Sequence, residues 1–507
     1  MTKLSVYQDG TCPACPAPFN MAAHVLRQAQ VVPDKTALEI IGPESREIFS
    51  FTDLRVAVQS AAAGLRAQGL KSGDRIILRI GNTVDFPIVF LGAIAAGFVP
   101  VATSSQLTAP ELSAIVDDLS PSLICVGGGL SLPTGFASNI DMLCDLRALR
   151  DHAPDPFVPG DPNRAAYIVY SSGTSGKPHA VEHAHRAIWA RQMMFADWYD
   201  MRDTDRLMHS GAFNWTYTLG TGLMDPWTVG ATAIISAGTV RRGELAGLLR
   251  AGNATIFAAT PGVLRQLLAG NSDLNVKGLR HTLSAGEKLS PQLRAMWQAR
   301  SGRPVYEAMG MSEVSTFLSS SPSRQTDEGA VGTPQKGRRV AVLDPISNLP
   351  VPLGKPGILA VATTDPGLMR GYANGPSAVD GEWFLTGDLV RMAPNGSVTF
   401  LGRNDDMMNA GGFRVSPVEV ETVLAAHPDI ITCAVTSHEV KTDAHIIVAF
   451  YLSKSPLNVD GLRSHCAASL AAYKCPRMFV RLDSLPTGSN GKLRRRALQS
   501  LVPHDQT

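Results

Sequence analysis

The chain has 507 residues, of which 44% are hydrophobic and 18% charged, which suits large buried cores and excludes a disordered polymer. Lys and Arg total 46 against 44 Asp and Glu, a formal charge of +2 that offers neither a basic field for nucleic acid nor an acidic tail. The 46 Gly and 34 Pro are dispersed without a period, which excludes collagen-like and low-complexity chains, and at about 150 residues per domain the length predicts about three lobes.

The N-terminus MTKLSVYQDGTCPACPAP has no apolar run and is not a secretory signal. Cys12 and Cys15 form a lone CxxC; a structural zinc site needs four ligands and no second pair lies nearby. Seven Cys, an odd and sparse set, suit free thiols in a reducing cytoplasm. Apolar residues at helical spacing predict helices over 53–68 and 110–119, while 75–80, 122–126 and 231–236 read as short buried strands. The longest apolar stretch, 86–102, is interrupted by Pro87, Gly92, Gly97 and Pro100 and falls short of the ~20 residues of a spanning helix. It predicts a buried helix followed by a buried strand, and no transmembrane segment.

Strands alternating with helices predict an α/β fold with mixed, largely parallel sheets flanked by helices. No period of 20–50 residues repeats, so solenoids and propellers are not expected. From about residue 406 the pattern changes, with strand-like 432–436 and 446–452 and helix-like 417–426 and 459–470. The expected organisation is a large N-terminal domain over 1–402, a hinge over 403–405, and a small α+β lid domain over 406–507.

The chemistry-bearing segment begins where an apolar strand, 166–170, runs into Ser171, Ser172, Gly173, Thr174, Ser175 and Gly176. Small residues let the backbone approach an anion, and hydroxyl and N–H groups can satisfy phosphate oxygens. A P-loop needs four residues between its first Gly and Gly-Lys-Ser/Thr. Here two residues separate Gly173 from Gly176, and Pro178 follows Lys177, so the Walker reading fails.

This loop resembles the signature of the adenylate-forming superfamily, which contains acyl-CoA synthetases, peptide-synthetase adenylation domains and firefly-type luciferases. Residues 283–289 (LSAGEKL) are similar to its adenine-binding turn, 306–313 (YEAMGMSE) to its Tyr-Gly-x-Thr-Glu segment and 383–389 (WFLTGDL) to its ribose site. Residues 402–421 (GRNDDMMNAGGFRVSPVEVE) resemble its hinge motif and 485–498 (LPTGSNGKLRRRAL) its catalytic-lysine motif. The motifs keep the family's order across nearly the whole chain.

The resemblance implies two half-reactions, in which a carboxylate attacks the α-phosphate of Mg·ATP and a thiol then displaces AMP. Such chemistry is mostly positioning and charge neutralisation. By resemblance Lys492 bridges carboxylate and α-phosphate, Glu313 holds Mg²⁺, and Ser312 belongs to the same catalytic turn. Lys177, Gly286, Glu287, Lys288, Ala308, Met309, Gly310 and Met311 join the phosphate loop around the nucleotide. Asp388 accepts the ribose hydroxyls, and Arg403 and Arg414 donate to ribose or phosphate oxygens. Asp405 takes the hinge position, and Gly411 and Gly412 line the pantetheine channel of the rotated lid.

The acyl pocket is expected to include Phe213, Asn214, Trp215 and Ala285. Asn214 stands where amino-acid-activating relatives place an Asp, and burying an unpaired ammonium costs about 2–5 kcal/mol, which disfavours amino acids. The segment 215–227 (WTYTLGTGLMDPW) is similar to medium-chain acyl-CoA synthetases. A medium-chain fatty or aryl acid is the expected substrate. Four positions depart from the family pattern: His179 replaces the loop lysine and Ala180 the next glycine, Met309 replaces the adenine-stacking tyrosine, and Asn490 replaces a serine.

No carrier domain follows Lys492, so CoA is the expected acceptor. Loading of a free carrier protein, luciferase-type oxygenation, and a nucleotide-binding homologue without turnover are the alternatives. The expected cofactors are Mg²⁺, ATP and CoA, and the expected partners a small carboxylic acid and CoA, with no nucleic acid. A homodimer is compatible with this reading.

Overall fold

The computed structural model describes residues 3–136, 139–171, 179–237, 243–270, 273–375, 381–404, 406–410, 413–441, 444–488 and 493–503. Two sheets dominate. The first has nine strands in the spatial order Thr333–Pro334, Ser315–Ser319, Val305–Met311, His281–Ala285, Ile256–Ala259, Arg206–His209, Thr232–Ser236, Thr36–Ile41 and Arg46–Ser50. Its middle is parallel and its two margins are antiparallel. The second has seven strands in the order Gly371–Tyr372, His179–Ala184, Ala165–Ser171, Val99–Ala102, Arg75–Arg79, Leu123–Val126 and Asp141–Leu143, parallel except at the first margin.

Two helices fill the space between these sheets. Phe51–Ala67 starts from a capping box, in which Ser50 Oγ accepts the Asp53 N–H at 3.0 Å and the Asp53 carboxylate accepts the Ser50 N–H at 3.1 Å. It buries Leu54, Val58, Ala61, Ala62 and Leu65, the stripe that its spacing predicts. Asp85–Ala96 is buried on every side from Phe86 onward, because its neighbours lie on both faces. The two helices approach closely at Gly92, where an added Cβ would lie 3.0 Å from Ala61 Cβ. The surrounding core joins Leu38, Ala233 and Ile235 of the first sheet to Ile76, Leu78 and Val169 of the second.

A third sheet, Val6–Gln8, Arg339–Leu343, Pro356–Ala362, Trp383–Met392 and Val398–Arg403, is antiparallel throughout. Among the described residues no helix separates its last four strands in the chain, so none of them is joined by the helical crossover that parallel neighbours need, and they pair antiparallel. The final hundred residues have their own mixed sheet, Thr432–Lys441, Ala444–Leu452 and Met478–Arg481, with helices Pro417–Ala425 and Val459–Ala467 packed over a separate core. Among the described residues no helix is long and apolar enough to cross a membrane.

Candidate active site

The strand Ala165–Ser171 pairs antiparallel with His179–Ala184, Ser171 lying opposite His179. The phosphate loop therefore closes a hairpin and no helix follows it, which agrees with rejecting a P-loop. Its residues Ser172, Gly173, Thr174, Ser175, Gly176 and Lys177 lie outside the described residues, as do Asp405, Gly411, Gly412, Asn490 and Lys492. Arg414 is in the strand Phe413–Val415, paired with Met408–Ala410.

Glu313 sits in the turn between Val305–Met311 and Ser315–Ser319 and is 7% exposed. Its Oε1 accepts the Tyr372 hydroxyl at 3.1 Å, and no Lys or Arg among the described residues is ion-paired with it. Tyr372 in turn lies beside the His179 ring, centroids 5.0 Å apart, so it links the loop hairpin to Glu313. Tyr372 carried no signal in the sequence, because its partner is 59 residues away. The turn is also held by its carbonyls: the Met369 N–H donates to Glu313 O at 2.7 Å, and His183 Nε2 lies 2.7 Å from Ser312 O. Burial holds the His183 imidazole down to about 4, so the ring is neutral and its Nε2–H donates.

A buried carboxylate with a hydroxyl donor and no ion-paired Lys or Arg among the described residues fits Mg²⁺, which takes one or two carboxylates beside phosphates and waters. Among the described residues no three His, Cys, Asp or Glu side chains converge as a metal cage, and Cys12 and Cys15 remain a lone pair of free thiols.

Gly286 turns the chain at φ 97 after the strand His281–Ala285, and Glu287 follows with Arg265 Nη2 3.4 Å from its Oε2. Burial lowers the Lys288 pKa, against the attraction of Glu307. Glu307 was not among the expected site residues. Burial pushes its carboxyl up to about 7, while the Leu289 N–H at 2.8 Å and Arg294 at 2.9 Å oppose that rise. It thereby ties the Gly286–Leu289 turn to the strand bearing Ala308 and Met309. Met309 and Met311 pack against the core of the third sheet.

Asp388 and Arg403 are cross-strand partners, with Arg403 Nη1 3.1 Å from Asp388 Oδ1 and 2.8 Å from Thr386 O. The left-handed Gly387, φ 76, makes room for this pair: a Cβ there would lie 2.7 Å from Arg403 Nη2. The antiparallel register thus brings together two residues that the sequence offered as separate ribose contacts.

On one face of the first sheet, Trp215, Tyr217, Trp198, Ala258, Ala285 and Ala308 form a single cluster. The Tyr217 hydroxyl donates to Leu283 O at 3.2 Å, and its ring meets Trp215 edge-on at 5.4 Å. The Trp215 indole lies over Gly286, where an added Cβ would be 3.0 Å from both Cη2 and Cζ2. Asn214 is half-buried beside it. Phe213, expected in the pocket, is 1% exposed and its ring stacks on Phe86 at 5.2 Å within the core between the sheets. There the ring gains aromatic neighbours on its flat face.

The chain matches the family model "AMP-binding enzyme" over residues 25–373 and "AMP-binding enzyme C-terminal domain" over residues 419–492. It is 30% identical to a benzoate–CoA ligase of Thauera aromatica over 482 residues, covering 89% of this chain and 90% of that protein. It is 28% identical to a 3-hydroxybenzoate–CoA ligase of an Aromatoleum species over 485 residues, covering 89% and 91%. Among solved structures, a benzoate CoA ligase from Burkholderia xenovorans superposes with a TM-score of 0.84 at 26% identity, over 95% of this chain and all (100%) of that one. An anthranilate CoA ligase in complex with anthranoyl-AMP superposes with a TM-score of 0.85 at 25% identity, over 96% and 98%. Ordered motifs, sheet arrangement and both family matches agree: the chain belongs to the AMP-binding enzyme family, the adenylate-forming acid–thiol ligases that use ATP, Mg²⁺ and CoA.

Proposed function

We propose that this enzyme activates an aryl carboxylic acid. A carboxylate oxygen attacks the α-phosphorus of ATP, the bond to the bridging oxygen breaks and pyrophosphate leaves. The CoA thiolate then attacks the acyl carbon and expels AMP. The observation that carries the aryl reading is the aromatic wall beside Gly286: the Trp215 indole packs over Gly286, and Ala285 and Ala308 belong to the same cluster, so a flat ring placed there meets aromatic and small apolar neighbours. The neutral Asn214 at its edge offers no partner for an ammonium, which disfavours amino acids. The ligases of benzoate, hydroxybenzoate and anthranilate among the relatives support the same choice.

Asp388 accepts the ribose hydroxyls, and Arg403 holds its carboxylate in place. Gly286 and the turn after it receive the adenine. Glu313 would hold Mg²⁺, which neutralises phosphate charge when bound, and Tyr372 fixes the carboxylate's direction. Lys492 bridges the carboxylate and the α-phosphate, and rotation of a lid domain over 406–507 about Asp405 then brings Gly411 and Gly412 to the pantetheine arm. Seven free cysteines, with ATP and CoA as substrates, support a cytoplasmic location.

The test is acid-dependent ATP–pyrophosphate exchange over a panel of benzoates, medium-chain fatty acids and amino acids, followed by CoA and detection of the thioester. Exchange strongest with benzoates is the expected result. Exchange strongest with octanoate or with an amino acid would overturn the aryl assignment.

A further inference from the structure

Arg191 was not among the expected site residues, yet its guanidinium links the elements behind both halves of the candidate site. On one side Arg191 Nε and Nη2 meet the Asp225 carboxylate at 2.8 and 2.6 Å, and Asp225 is 0% exposed. Nη2 also lies 3.2 Å from Tyr199 OH and 3.3 Å from Thr221 Oγ1, while the Tyr199 hydroxyl donates to Asp225 Oδ2 at 2.6 Å. Thr221 belongs to a π-helical stretch, Thr218–Met224, that directly follows Tyr217 of the aromatic cluster. Gly220 in that stretch makes room for the guanidinium, since a Cβ there would be 2.3 Å from Arg191 Cζ.

On the other side Arg191 Nη1 donates to Ser315 Oγ. Ser315 ends the Glu313 turn at φ 70, a left-handed conformation that a non-glycine residue keeps only where its surroundings hold it. Across the hairpin Gly310 permits the close approach, because a Cβ there would be 2.5 Å from Ser315 O. His183 and Met369 hold the carbonyls of Ser312 and Glu313, and Arg191 adds the only side-chain tie among the described residues from Asp225 to this turn. A buried ion pair stabilises a fold little more than apolar side chains of the same volume would, but its fixed fork sets geometry.

We propose that Arg191 is a positioning residue for adenylation, tying the π-helical wall behind Tyr217 to the turn that aims Glu313. The acid site and the Mg·ATP site are then coupled through one guanidinium. This rests on the assignment of Glu313 to Mg²⁺ made above.

Ser315→Ala tests it, because it removes the last link and leaves the Arg191–Asp225 pair whole. Two readouts are used: the Mg²⁺ dependence of benzoate-driven pyrophosphate exchange, and the rise in Tm given by Mg·ATP over that given by ATP in EDTA. The half-saturating Mg²⁺ concentration is expected to rise roughly tenfold, the scale of one lost hydrogen bond to a charged group. The Mg-dependent part of the Tm shift shrinks, beyond the modest fall in ligand-free Tm that comes from leaving Arg191 Nη1 unpaired. Arg191→Lys keeps the charge and loses the fork, and shows the same Mg²⁺ defect. A Ser315→Ala protein with wild-type Mg²⁺ dependence in both readouts, or one that loses only ligand-free stability, overturns the proposal. A wild-type protein without Mg-dependent exchange would instead overturn the functional reading, and this inference with it.

Discussion

Gly286→Ala places a methyl group where two costs meet. The backbone there has φ 97, and an L-residue held in the left-handed region costs about 1–2 kcal/mol. The new Cβ also lies 3.0 Å from two carbons of the Trp215 indole, closer than ordinary contact, with Thr260 Cγ2 at 3.8 Å behind it. Trp215 is only partly buried, so the indole yields by a few tenths of an ångström rather than the backbone. With that indole walling the proposed acid site, so small a tilt misplaces the carboxylate, and kcat/KM for benzoate is expected to fall about 10- to 100-fold. Gly278→Ala is the control: φ is 91, and nothing lies within 4 Å of the added methyl. Both variants should lose similar stability in thermal melts, and only Gly286→Ala should lose pyrophosphate exchange. Equal activity in the two variants would refute the placement of the acid beside Trp215.

Three further outcomes are expected. His179→Lys restores a permanent cation to the loop hairpin and should lower KM for ATP; an unchanged KM would show that the position does not meet phosphate. Asp405→Pro should spare pyrophosphate exchange and stop thioester formation, and equal loss of both half-reactions would remove the hinge assignment. Burial holds His183, His209 and His281 down to about 4, about 3 and about 4, from 6.5. The stability that these neutral rings contribute is complete above pH 6.5 and is lost as the pH falls toward those values, by about 1.4 kcal/mol per pH unit for each ring. Denaturant titrations from pH 7.5 to 4.5 should show this decline, and a flat profile would contradict it.

The parallel sheets and their buried helix were legible because burial on both faces leaves a run without charged residues, as in 86–96 and Val99–Ala102. The antiparallel third sheet was harder to see: its strands lie in a turn-rich region, and the 10-residue strand Trp383–Met392 alternates buried and exposed positions only in part. Within the site, motifs singled out Asp388 and Glu313, Glu313 in the turn after Val305–Met311 and Asp388 within the strand Trp383–Met392. The burial of Phe213 in the core was not legible, because an aromatic residue beside a pocket and one beneath it read alike. Arg191 gave no signal because its partners Asp225 and Ser315 are 34 and 124 residues away, and only the folded sheets bring them together.

The path of oxygen tests the account at its centre. Benzoate carrying a heavy-oxygen label in its carboxylate is turned over with ATP and CoA, and the phosphorus products are weighed by mass spectrometry. Transfer of one labelled oxygen to AMP, with pyrophosphate unlabelled, is the predicted result. Label in orthophosphate formed alongside ADP would contradict it.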